Sequence, residues 1–204
     1  MLAFTPNPGF VPIVAALLLL AAPRNFRAPM MILSAIVALW LLLDHEFGAA
    51  SSLAQMGLPV VLLSLDALNR IFGIALLIAL ISVSIYSSGR HNRYEDSAIL
   101  LMFGGAVSAL FVGDLVSFVA AASLGGLAAS WLVFCSPLED ASRSGARLLI
   151  WHGLEGMLFL VGVALYLSGH EGDSSITRLE LFSFGGAFIF LASISLLRSS
   201  RAFS

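Results

Sequence analysis

The sequence predicts an all-α membrane protein of about seven transmembrane helices, N-terminus out and C-terminus in, with residues 1–204 forming a single polytopic domain. Three observations carry this. Of the 204 residues, 59% are hydrophobic and 11% charged, and the mean hydropathy is +1.00. A soluble domain carries about 25% charged residues to keep its surface in water, so this chain must take lipid as its solvent. Seven apolar runs approach the roughly 20 residues that a helix needs to cross ~30 Å of hydrocarbon. The arginines fall on alternate sides of those runs, as they do when short basic loops stay on the cytoplasmic side.

In chain order the runs are 9–22, 28–43, 67–88, 97–113, 115–134, 146–168 and 179–197. The first is short, and residues 4–8 are expected to extend it. No basic n-region or small-residue cleavage pattern precedes it, so it reads as a retained span and not a removable signal. Between the second and third runs, residues 58–65 (LPVVLLSL) are too few to span, and Gly57 and Pro59 introduce them. That segment is expected at the interface or packed as an extended strand. Arg24 and Arg27 follow the first run, Arg90 and Arg93 the third, Arg143 and Arg147 the fifth, and Arg198 and Arg201 the seventh. The opposite side carries Asp44, Glu46, Asp66, Asp114, Glu171 and Asp173, with Arg70 and Arg178 near it. The polar stretches 44–57, 89–96, 136–145 and 169–178 are each loop-sized. No repeat of fixed period is present, and an odd number of spans does not divide into two equal inverted halves.

An ionisable side chain inside hydrocarbon costs a few kcal/mol, which makes each one a candidate for function. Glu155 is the sharpest, about ten residues into the sixth run and near mid-bilayer. His152 shares its helix face at i,i+3, and Arg147 lies two turns earlier near that face. Two readings stand side by side: a proton or cation relay, and an intramembrane pair that fixes helix packing. Asp114, following Gly113, is expected to cap the helix over 115–134 and to favour its positive dipole end, and Asp66 to cap the third helix. His45, His91 and His170 fall in loops, and no spacing of His, Cys or acids apart from His152/Glu155 suggests a metal site, so neither a structural metal nor a cofactor is expected. The fifth run is rich in small residues, among them Ser123, Gly125, Gly126 and Ser130, as are Gly104/Gly105 and Gly185/Gly186; such patterns let helix backbones approach closely. The net charge of −2 leaves no basic excess for a nucleic-acid backbone. Cys135 is the only cysteine and is expected to serve packing or face the membrane. No phosphate loop, nucleophile elbow or haem-holding His pair is present, so no catalytic chemistry is expected.

From Leu58 to about Gly172 the order of features resembles the N-terminal part of the antiporter-like membrane subunits shared by Mrp-type cation/proton antiporters and respiratory complex I, closest to the Mrp D-type subunit. The resemblance runs through Leu65-Asp66-Ala67-Leu68, Ile85-Tyr86-Ser87, Phe103-Gly104-Gly105, Phe111-Val112-Gly113-Asp114-Leu115, Ser130-Trp131-Leu132-Val133 and Ala146-Arg147-Leu148-Leu149 with His152. It covers half to two-thirds of the chain. In that family a helix-five glutamate, nine residues after the Gly-Asp pair, works with a helix-seven lysine in ion translocation. Here the ninth residue after Asp114 is Ser123, and the chain contains no lysine. Family members have about fourteen spans, so the resemblance implies a shortened, degenerate relative. Glu155 could supply the lost acid from the neighbouring helix.

The resemblance implies a non-pumping or accessory subunit of a larger ion-translocating membrane complex, with other membrane subunits as partners and a bacterial inner membrane as its location. The ion-pathway candidates are Glu155, His152, Arg147, Asp114 and Ser123. Two other readings remain. One is an independent small transporter or channel working through Glu155 and His152. The other is a structural or assembly membrane protein that offers its small-residue faces to partners.

Overall fold

The computed structural model describes residues 6–45, 50–55, 58–87, 89, 92–169 and 176. The expected seventh span at 179–197, Gly185/Gly186, and the loop residues Arg90, His91, His170, Glu171, Asp173 and Arg178 lie outside them. Within them the chain runs α1 (Phe10–Ala21), α2 (Arg24–Asp44), β1 (Ala50–Gln55), β2 (Leu58–Ser64), α3 (Ala67–Ser87), α4 (Arg93–Phe111), α5 (Leu115–Phe134) and α6 (Ala141–Gly169). Five of the helices, α2 to α6, are long and apolar enough to cross a bilayer. The chain is therefore an integral, multi-pass membrane protein.

Helix α1 departs from expectation. Its 12 residues rise only ~18 Å, short of a ~30 Å core. Residues 6–9 do not extend it: Pro8 and Gly9 form a turn held by Asn7, whose Oδ1 accepts the Gly9 N–H at 2.9 Å. Asn7 is fully buried, and its Nδ2 donates to the carbonyls of Leu62 (3.0 Å) and Ser108 (3.2 Å). A polar side chain thus does at the end of α1 what another helical turn would have done, which is to satisfy backbone groups where water is scarce. The link to α2 is sharp because Pro23 drives Ala22 into an extended conformation, φ −73° and ψ 139°.

The second departure from an all-α reading is a β-hairpin. The segment expected to be extended is β2, and it pairs antiparallel with β1 from Gln55↔Leu58 to Ala50↔Ser64. The register shifts between Ser51 and Ser52, which face Leu63 and Val61, so Leu62 is the unpaired bulge residue. Its carbonyl is the one that Asn7 reaches. The outer edge of β2 is covered in turn: Val61 C=O accepts the Gly113 N–H at 3.0 Å, and Val61 N–H donates to Asp114 Oδ2 at 2.9 Å. An edge strand left open would present unsatisfied donors and acceptors, and here the start of α5 closes it.

Successive helices run antiparallel, so the starts of α2, α4 and α6, with Arg24, Arg27, Arg93, Arg143 and Arg147, gather at one end. Asp44, Asp66, Asp114 and the hairpin gather at the other. Caps follow the sequence. At the start of α3, Asn69 Oδ1 reaches back to accept the Asp66 N–H (2.8 Å), and Asp66 Oδ1 accepts the N–H of the next residue, Ala67 (2.7 Å). Asn92 caps α4 through the Tyr94 N–H. At the centre stands α4: 61% of its apolar stretch is buried, against 17–28% in the other four long helices. Glycines set how closely its neighbours sit. A Cβ at Gly104 would come 2.7 Å from Ile13 of α1, and one at Gly105 would come 2.7 Å from the Gly125 backbone of α5. Ser97 Oγ adds a buried hydrogen bond to Ala16 C=O, 3.0 Å.

Gly105→Leu is therefore expected to lower the detergent-denaturation midpoint by an amount corresponding to about 1–3 kcal/mol, the usual cost of overpacking. Gly89→Ala, which adds a methyl to open space, is expected to stay within about 0.5 kcal/mol of the native protein. Equal midpoints for both would refute this role for Gly105. Cys135 ends α5, where burial and then the Glu95 carboxylate push its thiol pKa up, with an opposing contribution from Trp131. A raised pKa leaves less thiolate at pH 7. Maleimide should accordingly react with Cys135 more slowly than with an exposed Gly89→Cys, more quickly as pH rises, and more quickly in Glu95→Gln. Equal rates at Cys135 and the exposed site would contradict this environment.

Candidate functional site

The site is built where α5 packs along α6. The two helices run antiparallel in a fixed register: Phe118 stacks on Phe159 (5.6 Å between centroids, 42°), the backbone of Gly126 meets the His152 ring, and Gly145 meets the ring of Phe134. Glycine lets a ring lie against the backbone at both positions. A Cβ at Gly126 would sit 3.0 Å from His152 Cγ and Nδ1, and one at Gly145 would sit 2.9 Å from Phe134. The small residues of α5 are therefore spent inside the chain, Gly125 on α4 and Gly126 on α6.

Between the Phe118/Phe159 pair and the His152/Gly126 contact lies a cleft of about 100 Å³ lined by Phe118, Val119, Ala122, Ser123, His152, Glu155, Gly156 and Phe159. Glu155 stands 14 residues from either end of the 29-residue α6, ~21 Å by helical rise, which is mid-bilayer if the helix crosses. Glu155 is 4% exposed. Its Oε2 lies 3.4 Å from Nδ1 of His152, and that side chain is 28% exposed. Ser123 faces them from α5: a Cβ at Gly156 would lie 3.6 Å from Ser123 Oγ. A carboxyl and an imidazole this close can share or exchange a proton, and a hydroxyl across the cleft can donate or accept. On the flank past His152 the groove continues along Leu127, Met157, Leu160 and Val161, which are exposed apolar side chains.

The structure brings together three of the five residues singled out from sequence, Ser123, His152 and Glu155. It leaves two apart. Arg147 is exposed two turns closer to the arginine end and does not line the cleft. Asp114 is 1% exposed and occupied by backbone: Oδ1 accepts the Ser117 N–H at 2.8 Å and Oδ2 the Val61 N–H. It caps α5, as the Gly113-Asp114 pattern suggests, and also clamps the hairpin, a contact 53 residues away that no local pattern contains.

Three features escape the sequence. Asn7, between two prolines, reads as a loop residue. Asp96 sits in a polar stretch yet is 4% exposed, accepting from Ser87 Oγ at 2.5 Å beside a second cleft of about 400 Å³ that Glu95 also lines. Phe118 and Phe159 read as ordinary apolar residues. An i,i+4 spacing from Glu155 to Phe159 was the available clue that an aromatic lies one turn above the carboxyl.

Neither a protein-family model nor a curated protein matches this sequence. Among solved structures it is similar to a chain of the membrane-bound sulfane sulfur reductase, an archaeal respiratory membrane complex, with a TM-score of 0.73 and 17% identity. The likeness covers 85% of this chain and 29% of that one, so this chain spans less than a third of that chain's length. At such identity what is shared is the fold.

Proposed function

We propose that this chain is a membrane subunit of a proton- or cation-translocating complex of the Mrp antiporter/complex I type, in an accessory, non-pumping role. The observation that carries the proposal is the shared fold with a chain of a respiratory membrane complex. The accessory role draws on the resemblance: Ser123 stands where those subunits carry the helix-five acid, and none of the 204 residues is a lysine. A pumping couple needs an acid and a base that exchange charge, and that couple is missing. Its partners are other membrane subunits. Placing the arginine end in the cytoplasm follows the positive-inside rule and suits a bacterial inner membrane.

A second reading, an independent small transporter, is favoured by one observation: Glu155 and His152 line the same mid-helix cleft. The register supports a connection between the two readings, because Ser123 lies across from Glu155. A carboxyl absent from α5 is thereby present one helix over.

Two outcomes are expected. Extracted from its native membrane in mild detergent, the tagged chain should co-purify with larger membrane subunits, read by native mass measurement; recovery alone or as a homo-oligomer would overturn the subunit reading. In vesicles holding this chain alone, proton flux under a pH gradient should be the same for the native chain and Glu155→Gln. A flux that disappears in Glu155→Gln would replace the accessory role with the transporter.

A further inference from the structure

Glu95, Ile99, Met102, Ala106, Ala109 and Leu110 of α4 recur at the three- and four-residue spacing that places them on one helix face. Helices α3 and α5 flank that face, each packing on α4. Two clefts lie along it. The cleft at the arginine end, about 400 Å³, runs between Val83 and Tyr86 of α3 and Leu132 of α5, with Glu95, Ile99 and Met102 on α4 between them. The cleft at the hairpin end, about 640 Å³, runs between Phe72 and Leu76 of α3 and Phe118 of α5, with Ala106, Ala109 and Leu110 between them. The two clefts trace one groove along α4. Ile176 lines its hairpin end, packs beside Leu115, Val163 and Tyr166, and donates its N–H to the Gly113 carbonyl at 3.1 Å, just past the end of α4. It is not among the residues that line the clefts between α5 and α6.

We propose that the groove on α4 between α3 and α5 is the docking site of this chain's own apolar run, residues 179–197. Place, length and charge each favour that occupant. Ile176 holds the chain at the hairpin end of the groove three residues before the run begins. Continued from Ile176 antiparallel to α4, at a helical rise of 1.5 Å per residue, the run passes alongside residues 110–92, and α4 itself is Arg93–Phe111. The groove is thus as long as its occupant. Arg198 and Arg201 follow the run and arrive at the end where, among the described residues, Glu95 is the charged side chain lining the cleft. Arg93 lies near Glu95 but is exposed, with its guanidinium over the Tyr94 ring at 4.9 Å. The competing groove between α5 and α6 offers no such match at that end, because α6 presents the exposed Arg143 and Arg147 against Glu139 and Asp140 of the loop before it. Ala106 and Ala109 on α4 meet small residues of the run, Ser183, Gly185 and Gly186, at the same depth, and small residues on both sides let two backbones approach closely. A groove filled in this way is closed to lipid and to other subunits, which leaves partner docking to the remaining faces of the bundle. The placement goes beyond the accessory reading and holds whether the chain works in a complex or alone.

The test is disulfide closure in the full chain, in native membranes and a Cys135→Ala background, with copper–phenanthroline as oxidant. A disulfide forms without backbone movement only where the two Cα atoms come within about 7 Å. Ala106→Cys, exposed on α4 in the groove, is paired in turn with Ser183→Cys, Phe184→Cys, Gly185→Cys and Gly186→Cys, which together cover one helical turn at its depth. The same four are paired with Met157→Cys, which is exposed on α6 in the competing groove. Remaining thiols are capped with N-ethylmaleimide and the products are read by mass. At least one Ala106→Cys pair should close within the chain at least about tenfold faster than any Met157→Cys pair, since thiols held in contact react at a far higher effective concentration. A second series is independent of the first, should those variants not accumulate: Met102→Cys with Ala187→Cys, Phe188→Cys, Ile189→Cys and Phe190→Cys, with the same expectation. Faster closure onto Met157→Cys would put the run between α5 and α6 and overturn the proposal. Closure of Ala106→Cys or Met102→Cys only onto a separate chain, read as the summed mass of two chains, would overturn it as well, as would no closure in any pair that accumulates.

Discussion

Apolar side chains gain nothing by leaving lipid for one another, so helices in a membrane associate through close backbone approach, dispersion and internal hydrogen bonds. In this chain those terms are concentrated on α4. Gly104 admits α1, Gly105 admits α5, and Ser97 ties α1 down at its far end. With α1 drawn in beside Ser108, Asn7 can reach the Leu62 carbonyl. With α5 drawn in at Gly125, the Gly113-Asp114 pair falls alongside Val61. The placement of α6 then follows from α5. Larger residues on α4 would leave both the hairpin and the cleft without a frame.

What the sequence discloses about this fold is what lipid imposes locally. The long apolar runs become α2 to α6 because helix is the arrangement that satisfies backbone groups within one segment. Asp66 and Asp114 cap because a side-chain oxygen ahead of an apolar run has few other uses there. The failures are all long-range. Nothing near Asn7 announces that its amide replaces a turn of α1, and nothing near Asp114 announces Val61. Residues 58–64 are legible as extended, but their pairing with residues 50–55 and the bulge at Leu62 are decided by which carbonyls the rest of the bundle can satisfy.

The same division runs through the candidate site. Glu155 is conspicuous because a carboxyl in an apolar run is costly, and His152 because three residues separate it from that carboxyl on a helix. Ser123 is conspicuous only beside the family pattern, as a departure. That it faces Glu155 is a property of the α5/α6 register, which Gly126, Gly145 and Phe118 set together. Arg147 illustrates the opposite error: a two-turn spacing predicts a shared face, yet over eight residues of a 3.6-residue helix the direction drifts, and Arg147 ends exposed.

A buried carboxyl that passes ions across a membrane needs two routes, one to each side, that are never open together. In the α5/α6 pair, side-chain rings bound the cleft at both ends. Toward the hairpin, the cleft ends on rings that can rotate, and polar groups wait behind them at Asp66 and Asn69. Toward the arginines the contacts are also rings on a helix: His152 lies on the Gly126 backbone and Phe134 on the Gly145 backbone. Carrying charge across would require the two ends to open in turn.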